Sequence, residues 1–464
     1  MRTRILLTLT ILIALILPAQ GQSYDIQFNI KNFPDSISYL AQYHGDRILS
    51  KDTAKVTNGK FAFTGEKKLK AGMYVVAGEA NNKIIDILIN DDRDFRIRFD
   101  AANLVNSISI KGSRENQLFY DYVKEITSKR AQIQRLQKQS KNKNAQQKIR
   151  RISKSVDNYQ KQFIKENSDT FASAFLKASR EIEVPKPPNK NDSTFQYQYY
   201  KKHYWDNMPL SDPRMLRTPM FEKRYNKYLN KVVPQQPDSI IVALDRMLNA
   251  APDSSDLFKF MLWNATRKYE RSDIMGFDAV FAHLALEYYK KGRTADLNKD
   301  VVKNIIEKGE NLKNVLIGKK APNLVMMDTT KKPVSLHAIN ADYTIVAFWD
   351  SECGHCQKQI PKLHQFYQEN REKWNLATYA VSTDTSVRKW KDFINKHNLS
   401  WTNVLGYWSF TEDFHDLYDI NTTPVIYLLD AKKRIIGKRI LTKQVKQIIE
   451  REEKMKKEKA HIGK

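Results

Sequence analysis

Between Tyr24 and about Ile110 the apolar residues fall on every second position. Ile26, Phe28 and Ile30, then Ile85, Ile87 and Ile89, then Phe95, Ile97 and Phe99 alternate with neighbours that are polar except at Ile84 and Leu88. A period of two places one set of side chains on one face of a pleated strand, so each run predicts a half-buried β-strand. Asn58-Gly59, lying between Val56 and the Phe61-Phe63 run, supplies two residues that tolerate positive φ and predicts a tight turn. Several short strands at this spacing predict an antiparallel β-sandwich over residues 22–113.

Past Gly112 the period lengthens to three or four. Leu118, Tyr122 and Ile126, then Ile149, Ile152, Val156, Tyr159 and Phe163, mark two long amphipathic helices joined by the polar stretch Gln137 to Lys148. They predict a helical hairpin over 114–165, whose many basic side chains suit a solvated face better than a partner-binding one. Residues 166–316 read as a mainly helical domain, broken by the loop "VPKPPNKND" from Val184 to Asp192 and at Pro234 and Pro237. Phe277, Val280, Phe281, Leu284 and Tyr288 form an apolar helical stripe that belongs in a core rather than around a cofactor. The aromatic and basic tract Phe195 to Trp205 is read as packing between helices in preference to a surface that grips an unfolded partner.

From residue 317 strands and helices alternate. The apolar run Tyr343 to Trp349 predicts a buried strand, Gly354 to about Glu369 a helix, Leu376 to Val381 a strand and Val387 to Lys396 a helix. Val425 to Leu429 and Arg434 to Arg439 predict a terminal hairpin, followed by a charged helix from Lys443. This alternation implies an α/β domain with a central sheet over 317–458. The whole chain is thus multidomain α+β, consistent with 464 residues, too many for one core.

Charge changes this picture little. The net charge is +26, yet basic residues are spread along the chain and interleaved with acids, which argues against a nucleic-acid partner. The N-terminus says more: Arg2 and Arg4 precede an apolar run from Ile5 to Leu17, then Pro18 and Ala19-Gln20-Gly21. That is the construction of a cleavable secretory signal over 1–21, and the run is short for a membrane span. No cysteine follows it to carry a lipid, so membrane contact is expected only if the segment stays uncleaved. The mature protein is expected to be soluble and exported.

Export sharpens the meaning of the only two cysteines, Cys353 and Cys356. A disulfide across three residues closes so small a loop that it restrains the unfolded chain little, so a structural staple is a poor explanation. Half a zinc site lacks its second cysteine pair, and His355 and His364 complete no recognised ligand spacing. Inert core packing fits poorly with two thiols at the start of one helix in an exported chain. Disulfide exchange suits the placement: Cys353 lies where a buried strand gives way to a helix whose unpaired amides and dipole stabilise a thiolate, and Cys356 is one turn further on the same side. Protonated His355 would favour the Cys353 thiolate and a more oxidising pair, while Glu352 would oppose it.

The buried strand ending in Phe348-Trp349, the motif Cys353-Gly354-His355-Cys356 and Pro361 together resemble the thioredoxin superfamily. "APNLVMMD" and "YAVSTD" resemble its exported TlpA-like branch, over about 140 residues from Gly318. The resemblance implies a thioredoxin-like fold and a thiol-disulfide oxidoreductase with Cys353 as nucleophile and Cys356 as resolving thiol. It further implies Trp349 and Pro361 as supporting residues, and Thr423-Pro424 as the cis-proline position that aligns a substrate chain. No organic cofactor or metal is implied, because the electrons travel through the dithiol. The expected partners are thiols or disulfides of exported proteins and a separate redox partner, in the periplasm of a Gram-negative bacterium.

Three positions depart from the family pattern. Glu352 stands where tryptophan often precedes the first cysteine, and Ala347 replaces a buried aspartate that serves the resolving thiol, leaving Asp350 or Glu352 as substitutes. Gly354-His355 matches the dipeptide of protein disulfide isomerases rather than the Gly-Pro of reducing thioredoxins. The spacing before Cys353, with Asp350 and Val346 at the key positions, lacks the P-x-x-x-T-x-x-C pattern of peroxiredoxins. A competing expectation from another class is an envelope binding or scaffold protein with an auxiliary redox domain.

Overall fold

The computed structural model describes residues 23–80, 82–138, 143–253, 255–294 and 297–462. The expected signal segment lies outside them. The chain forms two compact units divided between Tyr228 and Leu229. This division falls inside the 166–316 stretch that the sequence treats as one helical domain.

The first unit begins with eight strands: β1 (Tyr24–Lys31), β2 (Ile37–His44), β3 (Arg47–Lys55), β4 (Lys60–Gly65), β5 (Gly72–Ala77), β6 (Lys83–Ile89), β7 (Asp94–Asp100) and β8 (Ser109–Lys111). They form two four-stranded sheets, ordered β4-β1-β7-β8 and β3-β2-β5-β6. The alternation is realised in β1 and β7, where Ile26, Phe28, Ile30 and Ile97 are buried while their strand neighbours meet solvent, whereas in β6 Ile87, Leu88 and Ile89 are all buried. One pairing departs from the antiparallel expectation, since β1 and β7 run parallel with Ile26 opposite Phe95. They are far apart in sequence, so no hairpin turn dictates their relative direction.

Asn58 and Gly59 both adopt positive φ (51° and 70°), and Thr57 and Lys60 exchange two backbone hydrogen bonds of 3.0 Å across them. The turn leads from β3 in one sheet to β4 in the other. Helices Arg114–Gln137 and Lys143–Glu166 pair as the 3.6-residue period requires, with Tyr122 stacked on Tyr159 at 5.8 Å and packed on Phe163 at 5.3 Å. In the Phe195–Trp205 tract the division is sharp. Tyr204 and Trp205 are buried between aromatic neighbours, whereas Tyr197 lies exposed on a helix without buried residues.

The second unit opens with helices, among them Pro237–Ala250, Asp256–Glu270, Asp278–Leu284 and Lys299–Lys313. The stripe Phe277, Val280, Phe281, Leu284 and Tyr288 is buried, as its period predicts. Seven strands follow: β9 (Val325–Asp328), β10 (Pro333–Ser335), β11 (Tyr343–Trp349), β12 (Leu376–Ser382), β13 (Thr402–Ser409), β14 (Val425–Asp430) and β15 (Ile435–Lys438). Their order in one sheet is β10-β9-β13-β12-β11-β14-β15.

Strand β11 is buried along its whole length, which explains its unbroken apolar run. Phe348 points to one face of the sheet, against Phe414 and Tyr418, and Trp349 to the other, against Phe393 at 4.9 Å. Strands β11, β12 and β13 are parallel. Their C-terminal ends therefore share one edge of the sheet, and the helix Gly354–Asn370 starts just beyond β11.

Candidate functional site

At that edge Cys353 caps the Gly354–Asn370 helix, with an extended backbone (φ −72°, ψ 117°). The first-turn amides have no helical acceptor, and although none makes a capping hydrogen bond to its sulfur they lie beside it. Cys356, one turn on, is wholly buried among Trp349, Ile360, Trp390 and Ile426. Both are free thiols. The Cys353 thiol donates to the Thr423 carbonyl at 3.4 Å, and the Asp350 N–H donates to Cys356 Sγ at 3.5 Å.

These surroundings drive the two thiols apart. Burial is the largest influence on Cys353 and raises its pKa. It is outweighed by donors to the thiolate, namely the Cys356 amide and thiol, the Thr423 side chain and the His355 amide, so the net shift is downward. Burial pushes the Cys356 thiol up to about 12, offset in part by the Asp350 amide and the Thr423 side chain and reinforced by Cys353 beside it. One sulfur is set to ionise and attack; the other keeps its proton while Cys353 beside it carries the charge.

The residues singled out in the sequence fall into three groups. Cys353, Cys356 and Thr423 meet at the site, and the Thr423-Pro424 peptide is cis. His355 reaches Cys353 through its backbone N–H, while its imidazole lies on the exposed side of the helix. Glu352 points away into an exposed ion pair with Lys389, 2.7 Å from Oε1 to Nζ. Trp349 closes the core beneath the pair, and Pro361 sits within the helix, where it withholds the amide that the Gln357 carbonyl would otherwise accept.

Neither proposed substitute for the missing aspartate puts a carboxylate on Cys356. Asp350 touches it with its amide, and Asp350 Oδ1 accepts instead from the Glu352 N–H at 2.7 Å. Sequence reasoning passed over Ser351 and Asp384, both buried behind the pair. The Asp384 carboxylate accepts from Ser351 N–H at 3.1 Å, Ser351 Oγ at 2.5 Å and Ser382 Oγ at 2.5 Å. A carboxylate just past the end of an apolar strand was the one available signal. Tyr407 and Phe410, 74% and 61% exposed, lie at and just beyond the end of β13, on the edge where β11 also ends. Among the described residues no group of three or more His, Cys, Asp or Glu side chains could hold a metal, and no helix is long and apolar enough to cross a membrane.

Three families match successive stretches of the chain. Residues 317–438 match the AhpC/TSA family, residues 132–310 the family described as domain of unknown function DUF5106, and residues 24–119 that described as DUF4369. The thiol-disulfide oxidoreductase ResA of Bacillus cereus is 25% identical over 141 residues, 29% of this chain and 75% of that protein. A solved domain of a possible thiol-disulfide isomerase from Cytophaga hutchinsonii is 43% identical, over 31% of this chain and 96% of that one, with a TM-score of 0.29. The thioredoxin domain of a thiol-disulfide oxidoreductase from Bacteroides vulgatus is 28% identical, over 29% and 96%, with a TM-score of 0.27.

Proposed function

The C-terminal domain of this chain belongs to the thioredoxin-like AhpC/TSA family, and from that premise we propose that it is a thiol-disulfide oxidoreductase acting on exported proteins through Cys353 and Cys356. The observation that carries this reading is the split between the two thiols: an accessible one lowered at a helix N-terminus, a buried one raised, and Thr423-Pro424 beside both.

In the reducing direction the Cys353 thiolate attacks one sulfur of a substrate disulfide. A Cys353–substrate disulfide forms and the second substrate sulfur leaves, taking up a proton. Cys356 then loses its proton and attacks Cys353 Sγ, which expels the first substrate sulfur as a thiol. The substrate has gained two electrons, and Cys353 and Cys356 are joined as a disulfide, which a dithiol redox partner reduces in turn. Run backwards, the same steps oxidise a substrate dithiol; return of the mixed disulfide to a different substrate thiol isomerises. Pro424 aligns the substrate chain, and exposed Tyr407 and Phe410 at the rim offer it apolar contact. The His355 amide tunes Cys353, and the Glu352 carboxylate acts on it weakly because Lys389 neutralises it. No cofactor beyond the dithiol enters these steps.

The N-terminal pattern supports export, and we place the protein in the periplasm of a Gram-negative bacterium. Purified protein mixed with a disulfide-bonded peptide tests the reading: exchange should stop when Cys353 is replaced. Unchanged exchange would instead leave the upstream regions as the working part of a binding or scaffold protein. Equilibration with glutathione then reads the direction, a low potential marking a reductant and a high one an oxidant or isomerase.

A further inference from the structure

Asp384 is 4% exposed and lies two residues past the end of β12. Among the described residues no lysine or arginine pairs with it, yet burying a carboxylate costs free energy unless strong donors compensate. Its donors converge on one neighbour. Ser351 gives it both N–H and hydroxyl, and the Ser351 carbonyl is taken by Gln357 Nε2 at 2.9 Å, so every polar group of Ser351 is fixed. Ser382 Oγ holds the second carboxylate oxygen and also accepts from the Asp384 N–H at 3.1 Å.

The residue between these two grips the neighbouring peptide. Thr383 N–H donates to the Trp349 carbonyl at 2.8 Å, and the Trp349 carbonyl shares one rigid peptide plane with the Asp350 N–H. Residues 383 and 384 thus clamp positions 349 and 351, on either side of Asp350, whose amide points at Cys356 Sγ. That amide matters most when Cys356 ionises to resolve the mixed disulfide, since a donor fixed beforehand stabilises the developing charge without reorganising. Cys353 depends on other groups, namely the helix amides and Thr423.

Building on the oxidoreductase reading, we propose that Asp384 is a positioning residue that holds the 350–351 loop so that the Asp350 amide serves Cys356, and thereby governs the release half of the reaction. Stopped-flow measurement with a fluorescent disulfide-bonded peptide separates the halves. Formation of the mixed disulfide is followed in the Cys356→Ser background, and release of the peptide sulfur held in the mixed disulfide in protein that retains Cys356. Asp384→Ala should slow release at least about tenfold while changing attack by less than about threefold, with Asp384→Asn, which keeps the shape without the charge, in between. Release at the wild-type rate, or attack and release slowed alike, would overturn the proposal. Should Asp384→Ala fail to fold, Asp384→Asn decides alone: the wild-type ratio of the two rates would reduce Asp384 to a structural residue. Protein with native Asp384 that forms no mixed disulfide at all would instead remove the oxidoreductase reading itself.

Discussion

At the residue scale the two thiols lie three residues apart yet differ in accessibility and proton affinity, and that difference is open to titration. Because the Cys353 pKa is lowered from 9.0 and that of Cys356 is raised to about 12, thiolate accumulates on Cys353 first as pH rises. Iodoacetamide at neutral to mildly alkaline pH should therefore give one adduct, on Cys353, with a rate that reaches its plateau at lower pH than that of an unperturbed thiol. Peptide mapping of the alkylated protein checks this; equal labelling of both cysteines would contradict it. The pair and its proline were legible in the sequence because they form local signals: a motif at a strand-to-helix junction, and a Thr-Pro before a strand. Asp384 was not, since the loop it clamps lies 33 residues upstream. Lys389, 37 residues from Glu352, was equally hidden, and its ion pair weakens the opposition between Glu352 and His355 that the local sequence suggests.

At the element scale, period and turn chemistry read well where one face of an element is buried. Strand β11 and the helix from Gly354 follow the sequence boundaries closely because a continuous apolar run ends at a capping position. Strand β13 went unread: Val404 and Leu405 are buried while Tyr407 is exposed, so "TNVLGYWS" shows neither alternation nor an apolar run. Short β9 and β10 carry too few residues to show a period. The Asn58-Gly59 turn was read correctly as a turn, but the change of sheet across it is a tertiary fact. Its geometry makes a prediction. A Cβ on Gly59 would stand 2.1 Å from the Ile30 carbonyl oxygen, at a φ of +70° that side chains disfavour. Gly59→Ala should therefore cost at least about 1–3 kcal/mol, read as a lower urea midpoint with unchanged slope.

At the scale of the whole molecule, the sequence separates a helical region from the thioredoxin-like domain, but the contacts joining them inside the second unit are invisible to it. Gly318 and Lys319 exchange backbone hydrogen bonds of 2.8 Å with Ile435, adding the entering chain to the edge at β15. Lys438, 3% exposed, pairs with Asp278 of a preceding helix. Burial lowers the Lys438 pKa and the Asp278 charge opposes that shift. Removing Asp278 strands a buried ammonium, so Asp278→Ala should destabilise the second unit by about 3–5 kcal/mol, whereas the double change with Lys438→Met should recover most of the loss. Urea unfolding followed by tryptophan fluorescence checks both, since six of the seven tryptophans of the chain lie beyond residue 229. The upstream sheets and helices have no counterpart of the thiol site, so disulfide chemistry should stand or fall with Cys353 alone.

Intact-mass analysis after incubation with oxidised glutathione puts that to the most direct trial. Protein carrying Cys356→Ser should accumulate a single glutathione adduct, located at Cys353 by peptide mapping. Cys353→Ser, with only the buried thiol left, should remain unmodified over the same time. Adducts forming equally fast on both variants, or on neither, would contradict Cys353 as the attacking sulfur.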